Sequence, residues 1–429
     1  MRYKQIPSQL FIRNRQKLAR KLKPNSLAII LSNDEYQRNG DQFHPYRQNS
    51  DMFYLSGLDQ EKCILCLFPD HPKEEMRELV FTVQTNDKMV TWYGHKYTQE
   101  QARNVSGVNN VKWLESFEDT LKDLALRAEN IYINIYENAR FSTDVPSNDL
   151  RFSKRMKEEY PLHNFERLHP LITECRLCKE PEEIDIIQQA CNITEKAFRR
   201  MLGSLRPGMM EYEAEAEITH EFIRNGASGH AYAPIVASGM NACVLHYIKN
   251  DVGIKDGDLV LFDIGAEYGN YAADLSRTIP ANGSFTKRQK DCYNAVLRVQ
   301  KQAINLIVPG TTIEKINKAV TVLMEEEMIN LGLFSRQDVQ NQDPENPLYF
   351  KYYMHGNSHF IGLDVHDVGT RQIELKPGMV LSCEPGIYIK EEGIGIRIEN
   401  DILVSEKGPV DLMKNIPVEA DDIERLMKK

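Results

Sequence analysis

The chain has 429 residues, of which 41% are hydrophobic and 27% are charged, ordinary proportions for a protein with packed cores. These values exclude collagen-like, disulfide-scaffold and wholly disordered proteins, and the length predicts two or three domains. With 53 Lys and Arg against 62 Asp and Glu, the net charge is −9. We therefore expect no nucleic-acid partner, because nucleic-acid surfaces carry clustered positive charge. No apolar run approaches the roughly 20 residues of a membrane span, and the basic N-terminus lacks the apolar core of a secretory signal, so we expect a cytoplasmic protein with no membrane partner.

The eight cysteines include two C-x-x-C pairs, Cys63/Cys66 and Cys175/Cys178. The first pair lies in an apolar run that predicts a strand, where side chains three residues apart point to opposite faces. The second pair is too far along the chain to complete a compact zinc ribbon. We expect small buried side chains in a reducing compartment rather than a thiolate metal site.

The first part of the chain alternates short apolar runs with charged segments of helical spacing. The runs SLAIILS, ILCLFP, ELVFTV and NIYINIY predict strands, and SFEDTLKDLALRAEN predicts a helix. This alternation indicates an α/β domain. The charged, proline-punctuated segment RFSKRMKEEYPLHNFERLHP predicts its last helix and exit, which places the domains at residues 1–171 and 172–429.

The second part begins with helices and ends mainly in strands. Pro181 opens a long helical segment, and a second helix is predicted to stop at Gly226. Capping-box patterns open two further helices, Thr286 with Gln289 and Thr311 with Glu314. The segments DLVLFDIGAEYGNYAADLSRTI, MVLSCEPGIYI and GIRIENDILVS predict antiparallel strands, and therefore an α+β domain.

Two aspartates mark the predicted hairpin FDIGAEYGNYAAD. With a two-residue loop at Tyr268-Gly269, Asp263 and Asp274 are equally distant from the loop and face each other across the ladder. Like charges placed opposite each other are destabilising, so a divalent cation between them is expected. The alternative is that both are solvated turn residues.

Three of the 11 histidines, His355, His359 and His366, fall within MHGNSHFIGLDVHDVG. The interleaved glycines and the lack of a Glu after the first His make this a poor helical zinc motif. His220-Glu221 is another poor match, because Arg occupies position 224. Three histidines among glycines favour a site, with satisfied structural histidines as the alternative.

Two glutamates lie on predicted strands, Glu384 in SCEPGIYI and Glu399 in GIRIEND. Burying either carboxylate without a partner is costly, although salt bridges or exposure would also explain them. Together with the two aspartates they make an oxygen-rich set that suits Mn²⁺, Mg²⁺, Co²⁺ or Zn²⁺ in two adjacent positions. Four carboxylates balance two divalent ions, and paired metals about 3.5–4 Å apart serve hydrolases.

Several motifs in the same order resemble those of the aminopeptidase P family, the Xaa-Pro aminopeptidases among the pita-bread metallopeptidases. They are RLCKEPEEIDIIQQACNITEKAF, VLHYIKNDVGIKDGDLVLFDIGAEYGNYAADLSRTIP, HGNSHFIGLDVHDVG, VLSCEPGIYI and IRIENDI. FHPYRQNSDMFYLSGLD resembles the family's non-catalytic domain, so the resemblance covers nearly the whole chain. It implies an α/β N-terminal aminopeptidase P-like domain and an α+β pita-bread catalytic domain.

The resemblance also implies a dinuclear site, with manganese expected first and Co²⁺, Zn²⁺ or Mg²⁺ as alternatives. Asp274 and Glu399 would bridge both ions, Asp263 would hold one, and His359 and Glu384 would hold the other. The implied reaction releases the N-terminal residue from peptides with proline in second position. In that reaction a hydroxide between the two metals would attack the carbonyl, and Glu384 would carry the proton towards the proline nitrogen.

The remaining site residues are also implied by the resemblance. His246, His355 and His366 would orient the substrate carbonyl and the proline side of the bond, and Arg397 and Tyr388 match positions near the proline pocket.

Trp92 resembles an N-domain aromatic that reaches a neighbouring subunit's site, which implies a homodimer or homotetramer. Two departures leave substrate preference open: the loops around the EPG motif look short, and Asn357 stands where an apolar residue is usual. A prolidase, which cleaves only Xaa-Pro dipeptides, and a catalytically inactive pita-bread binding module remain alternatives. A creatinase-like amidinohydrolase would need the carboxylates replaced, and they are present.

Overall fold

The computed structural model describes residues 2–137 and 144–428, which form two compact units. The first comprises residues 5–176, and the second comprises residues 2–4 and 177–428. The division falls between Arg176 and Leu177, in the last turn of the helix His169–Leu177. The sequence boundary near Leu171 lies within the same helix, so the change in packing comes slightly later than the change in composition.

The first unit is built on one six-stranded sheet, in the order β6-β5-β4-β1-β7-β8. β1 pairs in parallel with β7, as do β7 with β8 and β5 with β6, whereas β4 is antiparallel to both β1 and β5. Phe117, Leu121 and Leu124, at helical spacing on α5, pack with the buried sheet residues. The elements in chain order are α1 Ser8–Ala19, β1 Ser26–Leu31, β2 Gln37–Asn39, β3 Gln42–Phe43, α2 Ser50–Ser56, β4 Ile64–Leu67, β5 Glu78–Thr82, α3 Asp87–Tyr93, α4 Gln99–Ser106, β6 Asn110–Trp113, α5 Phe117–Ala125, β7 Asn130–Ile133, α6 Asn148–Glu159, β8 Asn164–Arg167 and α7 His169–Leu177.

The second unit combines helices with small antiparallel sheets. The strand orders are β10-β11-β14, β13-β12-β9, β15-β18-β19 and β16-β17, and each of these pairs is antiparallel. The elements are α8 Pro181–Ser204, α9 Glu211–Arg224, β9 Gly229–His230, β10 Ile235–Ser238, β11 Leu259–Ile264, β12 Ala266–Tyr268, β13 Tyr271–Ala272, β14 Leu275–Pro280, α10 Lys287–Ile304, α11 Ile313–Asn330, α12 Arg336–Gln340, β15 Val380–Cys383, β16 Gly386–Ile389, β17 Ile394–Arg397, β18 Asn400–Ser405, β19 Gly408–Asp411 and α13 Ala420–Met427.

The helix starts follow the expected capping chemistry, with one correction. Thr286 and Gln289 form a complete capping box at the start of α10. At α11 the prediction of Thr311 as the cap is wrong, because the Thr312 side chain accepts from Lys315 N instead. The carbonyl of Thr311 accepts from the backbone N–H of Leu375, which keeps Thr311 outside the helix.

The hairpin that carries the two aspartates has a different register from the predicted one. Asp263 faces Ser276 across β11 and β14, and the loop is Gly269-Asn270. Both loop residues have positive φ, 57° and 65°, which glycine and asparagine tolerate in the tight turns of hairpins. The direct pairing of Asp263 with Asp274 is therefore wrong. Asp274 nevertheless stands two residues from Ser276, the spacing of side chains on one strand face.

Within residues 2–137 and 144–428, no helix has both the length and the apolarity that a bilayer crossing requires. All eight cysteines are free of disulfide bonds; seven are buried and Cys178 is partly exposed. Burial raises the pKa of Cys66, on β4, to about 12, so this thiol is an inert core group.

Candidate active site

The carboxylates and the imidazole expected to bind metal come from the ends of neighbouring strands in the second unit. Asp263 lies in β11, Glu384 follows β15 directly, and Glu399 lies between β17 and β18. His359 belongs to a segment beside β15, where Ser382 N donates to the His359 carbonyl at 2.9 Å. Antiparallel pairing therefore brings together side chains that are far apart in the sequence.

Asp263 and Asp274 share one hydrogen-bonding partner, Tyr232, which the sequence reasoning missed. The Tyr232 hydroxyl lies 2.6 Å from Oδ1 of Asp263 and 2.5 Å from Oδ1 of Asp274. A phenol has one proton and can donate to only one of the two carboxylates at a time. Burial and the two neighbouring carboxylates raise the pKa of Tyr232 well above its usual value. Tyr232 therefore stays protonated and holds the aspartates close together.

His359 points its Nε2 atom at three carboxylates. Nε2 lies 3.4 Å from Asp274, 3.5 Å from Glu384 and 4.0 Å from Glu399. Nδ1 lies 3.0 Å from the carbonyl oxygen of Phe360 and is the natural donor to it. In the neutral ring this leaves the Nε2 lone pair free for a metal ion. Asp274, His359 and Glu399 each offer one ligand atom, and these three atoms lie within 4.8 Å of one another.

The ionisation of these groups reflects crowded negative charge in a buried place. Burial raises the pKa of Glu384 to about 7, and burial followed by the charge of Asp274 raises the pKa of Glu399 well above its usual value. Burial alone lowers the pKa of His359, but the carboxylates of Asp274 and Glu384 outweigh it and raise the value to about 9. The site therefore favours added positive charge, as protons or as cations.

Arg397, Tyr388 and His355 form a connected chain of hydrogen bonds beside the carboxylates. Arg397 donates from Nη2 to Oδ2 of Asp263 at 2.6 Å and from Nη1 to the Tyr388 hydroxyl at 2.8 Å. The same hydroxyl lies 2.8 Å from Nε2 of His355. Burial and the charge of Arg397 lower the pKa of His355 to about 4, so this imidazole is neutral at working pH.

The other three predicted site residues, His366, His246 and Trp92, lie in different surroundings. The His366 ring meets the His359 ring edge-on, with centroids 4.5 Å apart and planes at 84°. His246 is exposed, and its charge contributes to the lowered pKa of His355, so it lies within electrostatic reach. Trp92 lies on α3 in the first unit and is 76% exposed.

The donor set fits divalent metal ions. The nearby guanidinium of Arg397 compensates only part of the charge of four carboxylates, from Asp263, Asp274, Glu384 and Glu399. Burial first, and then the neighbouring carboxylates, raise the pKa values of Asp274, Glu384 and Glu399. Carboxylate oxygens with one imidazole suit Mn²⁺, Mg²⁺, Co²⁺ or Zn²⁺.

Known proteins have amino-acid sequences similar to that of this chain. Residues 185–406 match metallopeptidase family M24, and residues 11–132 match the aminopeptidase P N-terminal domain. The Xaa-Pro aminopeptidase of Escherichia coli (strain K12) is 37% identical over 437 residues, covering 99% of this chain and 98% of that protein. The chain belongs to metallopeptidase family M24.

Solved structures named as aminopeptidase P superpose on this chain over almost its full length. A Bacillus anthracis protein classed with aminopeptidase P has a TM-score of 0.92 at 36% identity, covering 99% of each chain. Zinc-substituted E. coli aminopeptidase P in complex with product has a TM-score of 0.87 at 36% identity, also covering 99% of each chain. The family and the fold class predicted from sequence are confirmed: an α/β aminopeptidase P N-terminal domain and a pita-bread catalytic domain. As an M24 metallopeptidase, the chain is a metal-dependent hydrolase.

Proposed function

We propose that this M24 enzyme releases the N-terminal residue from peptides that have proline in the second position. The observation that carries the proposal is the convergence of Asp274, His359 and Glu399 in a chain that aligns with an Xaa-Pro aminopeptidase over nearly its full length. A carboxylate-rich centre of this kind is suited to water activation, and peptide hydrolysis requires activated water.

The residues that would hold the metals are His359, the three carboxylates that converge on it, and Asp263, which shares Tyr232 with Asp274. Asp274 and Glu399 would contact both ions, Asp263 would complete one position, and His359 and Glu384 the other. When bound, two divalent ions lower the pKa of water and polarise the scissile carbonyl. Manganese is proposed first because the donors are mostly hard oxygens, and Co²⁺, Zn²⁺ and Mg²⁺ fit the same set.

Glu384 is the proposed proton carrier. Its Oε1 lies 3.5 Å from Nε2 of His359, among the residues that would hold the metals, so the carboxylate is placed to take a proton from water activated there. The Ser382 hydroxyl donates to Oε1 of Glu384 at 3.3 Å and orients it. The proton goes to the proline nitrogen, which has no N–H in the peptide and leaves as a secondary amine.

The neighbouring side chains would orient the peptide. His355 is neutral because its pKa is lowered to about 4, so it acts through hydrogen bonds rather than charge. His246 and His366 would steady the carbonyl and the proline side of the bond. Tyr388 and Arg397, joined at 2.8 Å, would form the wall near the proline ring.

We also propose a homodimer or homotetramer that works in the cytoplasm. An aromatic as exposed as Trp92, at 76%, suits contact with a second copy and its bound peptide. The eight free thiols suit a reducing compartment.

A substrate panel with metal analysis tests the proposal. We expect release of the first residue from Xaa-Pro-Xaa tripeptides, little cleavage of Xaa-Ala-Xaa controls, and two divalent ions per chain. Cleavage restricted to Gly-Pro would instead make the protein a dipeptidase. A fully metal-loaded protein that cleaves none of these peptides would be a binding module.

A further inference from the structure

The segment that carries His246 joins β10 to β11 without regular structure of its own around the histidine. It begins with the 3₁₀ turn Gly239–Cys243, and residues 244–252 form neither helix nor strand. His246 is exposed within this segment. Because a long connection loses much conformational entropy when ordered, its shape must come from contacts at defined points.

Those contacts converge on Glu211, the first residue of α9, which is fully buried. Its Oε1 accepts from the backbone N and the Oγ of Ser238, both at 2.7 Å, and from Nδ2 of Asn241 at 3.2 Å. Its Oε2 accepts from the Tyr247 hydroxyl at 2.7 Å and from the Val252 backbone N at 3.1 Å. One carboxylate therefore binds the chain both before and after His246.

This arrangement occupies the acceptor capacity of the carboxylate, which offers about four lone-pair positions. Burial and the hydrogen bond to Glu211 raise the pKa of the Tyr247 phenol, so Tyr247 remains a donor across the working range. Hydrogen bonds to an ionised acceptor are stronger than neutral ones. Glu211 therefore holds the two ends of the segment together through strong hydrogen bonds.

The residues on both sides of His246 also face the peptide-binding wall. Leu245 and Tyr247 pack against a buried cluster that includes Tyr388, the residue that contacts His355. The backbone of the same segment comes so close to β17 that a Cβ on Gly395 would lie 2.2 Å from the carbonyl oxygen of Ala242. The segment therefore packs closely against the residues that form the wall of the site.

We infer that Glu211 is a positioning residue for His246, and that it acts by holding the two arms of the 239–252 segment. This inference rests on the proposed function, because it takes His246 to contact the peptide. The hydrogen-bond partners of the Glu211 carboxylate are Ser238, Asn241, Tyr247 and Val252, and none of these is a proposed metal ligand. Loss of this carboxylate should therefore reduce turnover while metal content stays the same.

The test uses Glu211→Gln in the full-length, metal-loaded protein. The amide group brings hydrogens towards donors of the segment, and we expect kcat on an Xaa-Pro-Xaa tripeptide to fall about 10- to 100-fold, the cost of slight misplacement. Metal content by elemental analysis should be unchanged. The control is Glu213→Gln, which removes the same charge from the same helix turn. The Glu213 side chain is exposed and accepts a hydrogen bond from Met210 N. The kcat of this control should stay within about twofold of the wild-type value.

A double-mutant cycle separates positioning from general destabilisation. In the His246→Ala background, Glu211→Gln should lower kcat by less than about twofold, because the group it positions is gone. Equal losses in both backgrounds would overturn the inference. If Glu211→Gln does not fold, Tyr247→Phe, which removes one of the donors, takes its place in the same cycle. The wild-type rate on the tripeptide, measured alongside, tests the proposed function separately.

Discussion

The ammonium nitrogen of Lys179 lies 2.9 Å from Oδ2 of Asp367, and each side chain is only 1% exposed. Lys179 stands two residues before α8, and Asp367 follows His366 directly. The pair therefore ties the start of the first long helix of the catalytic unit to the segment that carries a site histidine. Both charges have lost their hydration, so removing either member of the pair is costly.

We expect Lys179→Met to destabilise the metal-loaded protein by about 3–5 kcal/mol, because the buried Asp367 carboxylate loses the ammonium group that lies 2.9 Å from it. Urea unfolding followed by circular dichroism measures the change. Lys318→Met is the control, because it breaks a pair with Glu314 on the exposed face of α11 and should leave the midpoint almost unchanged. Equal, small effects of the two substitutions would show that the buried pair contributes little.

His366→Ala should cost most of the turnover while both metals stay bound. The ring packs edge-on against His359, and loss of a group that assists proton transfer or orientation typically costs about 10²–10⁴-fold. Steady-state kinetics measures the turnover, and elemental analysis on the same sample measures the bound metal. His220→Ala, at an exposed histidine, is the control. Loss of metal together with activity would make His366 a ligand.

Asp274→Ala should abolish metal loading and turnover together. Asp274 lies within reach of His359 and shares Tyr232 with Asp263, so its removal leaves both metal positions incomplete. Asp256→Ala, at an exposed turn before β11, is the control and should keep metal and activity. Full activity in a metal-free Asp274→Ala protein would contradict the two-metal site.

Removing the metals should make stability fall as pH rises. The pKa of His359 is raised from 6.5 to about 9 and that of Glu384 from 4.5 to about 7, so the folded, metal-free chain holds more protons than the unfolded chain. The contribution of His359 to the free energy of unfolding is fully present below pH 6.5 and is lost as the pH rises through about 9. The contribution of Glu384 is fully present below pH 4.5 and is lost as the pH rises through about 7. Melting temperatures in chelator at pH 6 and pH 9 measure the trend. A metal-free protein that gains stability over this range would contradict the prediction.

Gly265→Ala should separate the hairpin strands that carry the aspartates. A Cβ at this position would lie 1.8 Å from the carbonyl oxygen of Ala273, so the backbone must move at a cost of about 1–3 kcal/mol or more. We expect weaker metal binding by isothermal titration as well as lower stability. Gly229→Ala, on the neighbouring β9 with no atom within 4 Å of the new Cβ, is the control. Unchanged metal affinity in Gly265→Ala would show that the hairpin adapts.

Elements with strong local signals were predictable from sequence. The start of α8 at Pro181 and the capping box at Thr286 depend on neighbouring residues only. The strand β8 was missed because its segment is charged and partly exposed, and its pairing partner β7 lies in a distant part of the chain. Parallel pairing of this kind leaves no short-range pattern.

Sequence motifs singled out Asp274, His359 and Glu399, which the structure brings together, but they did not predict the geometry around them. The register error arose because the tight loop depends on two residues with positive φ, Gly269 and Asn270, which alternation does not reveal. Tyr232 reaches Asp263 and Asp274 across 31 and 42 positions, and an uncharged tyrosine carries no spacing signal. Three-dimensional packing, rather than any motif, creates that contact.

Cys178, a partly exposed residue, stands directly before Lys179, while the other seven cysteines are buried. A maleimide dye or spin label therefore has one natural attachment point, with no engineered residue required. A fluorophore there would sense the environment at the entry to α8, and spectroscopy could follow that junction during unfolding.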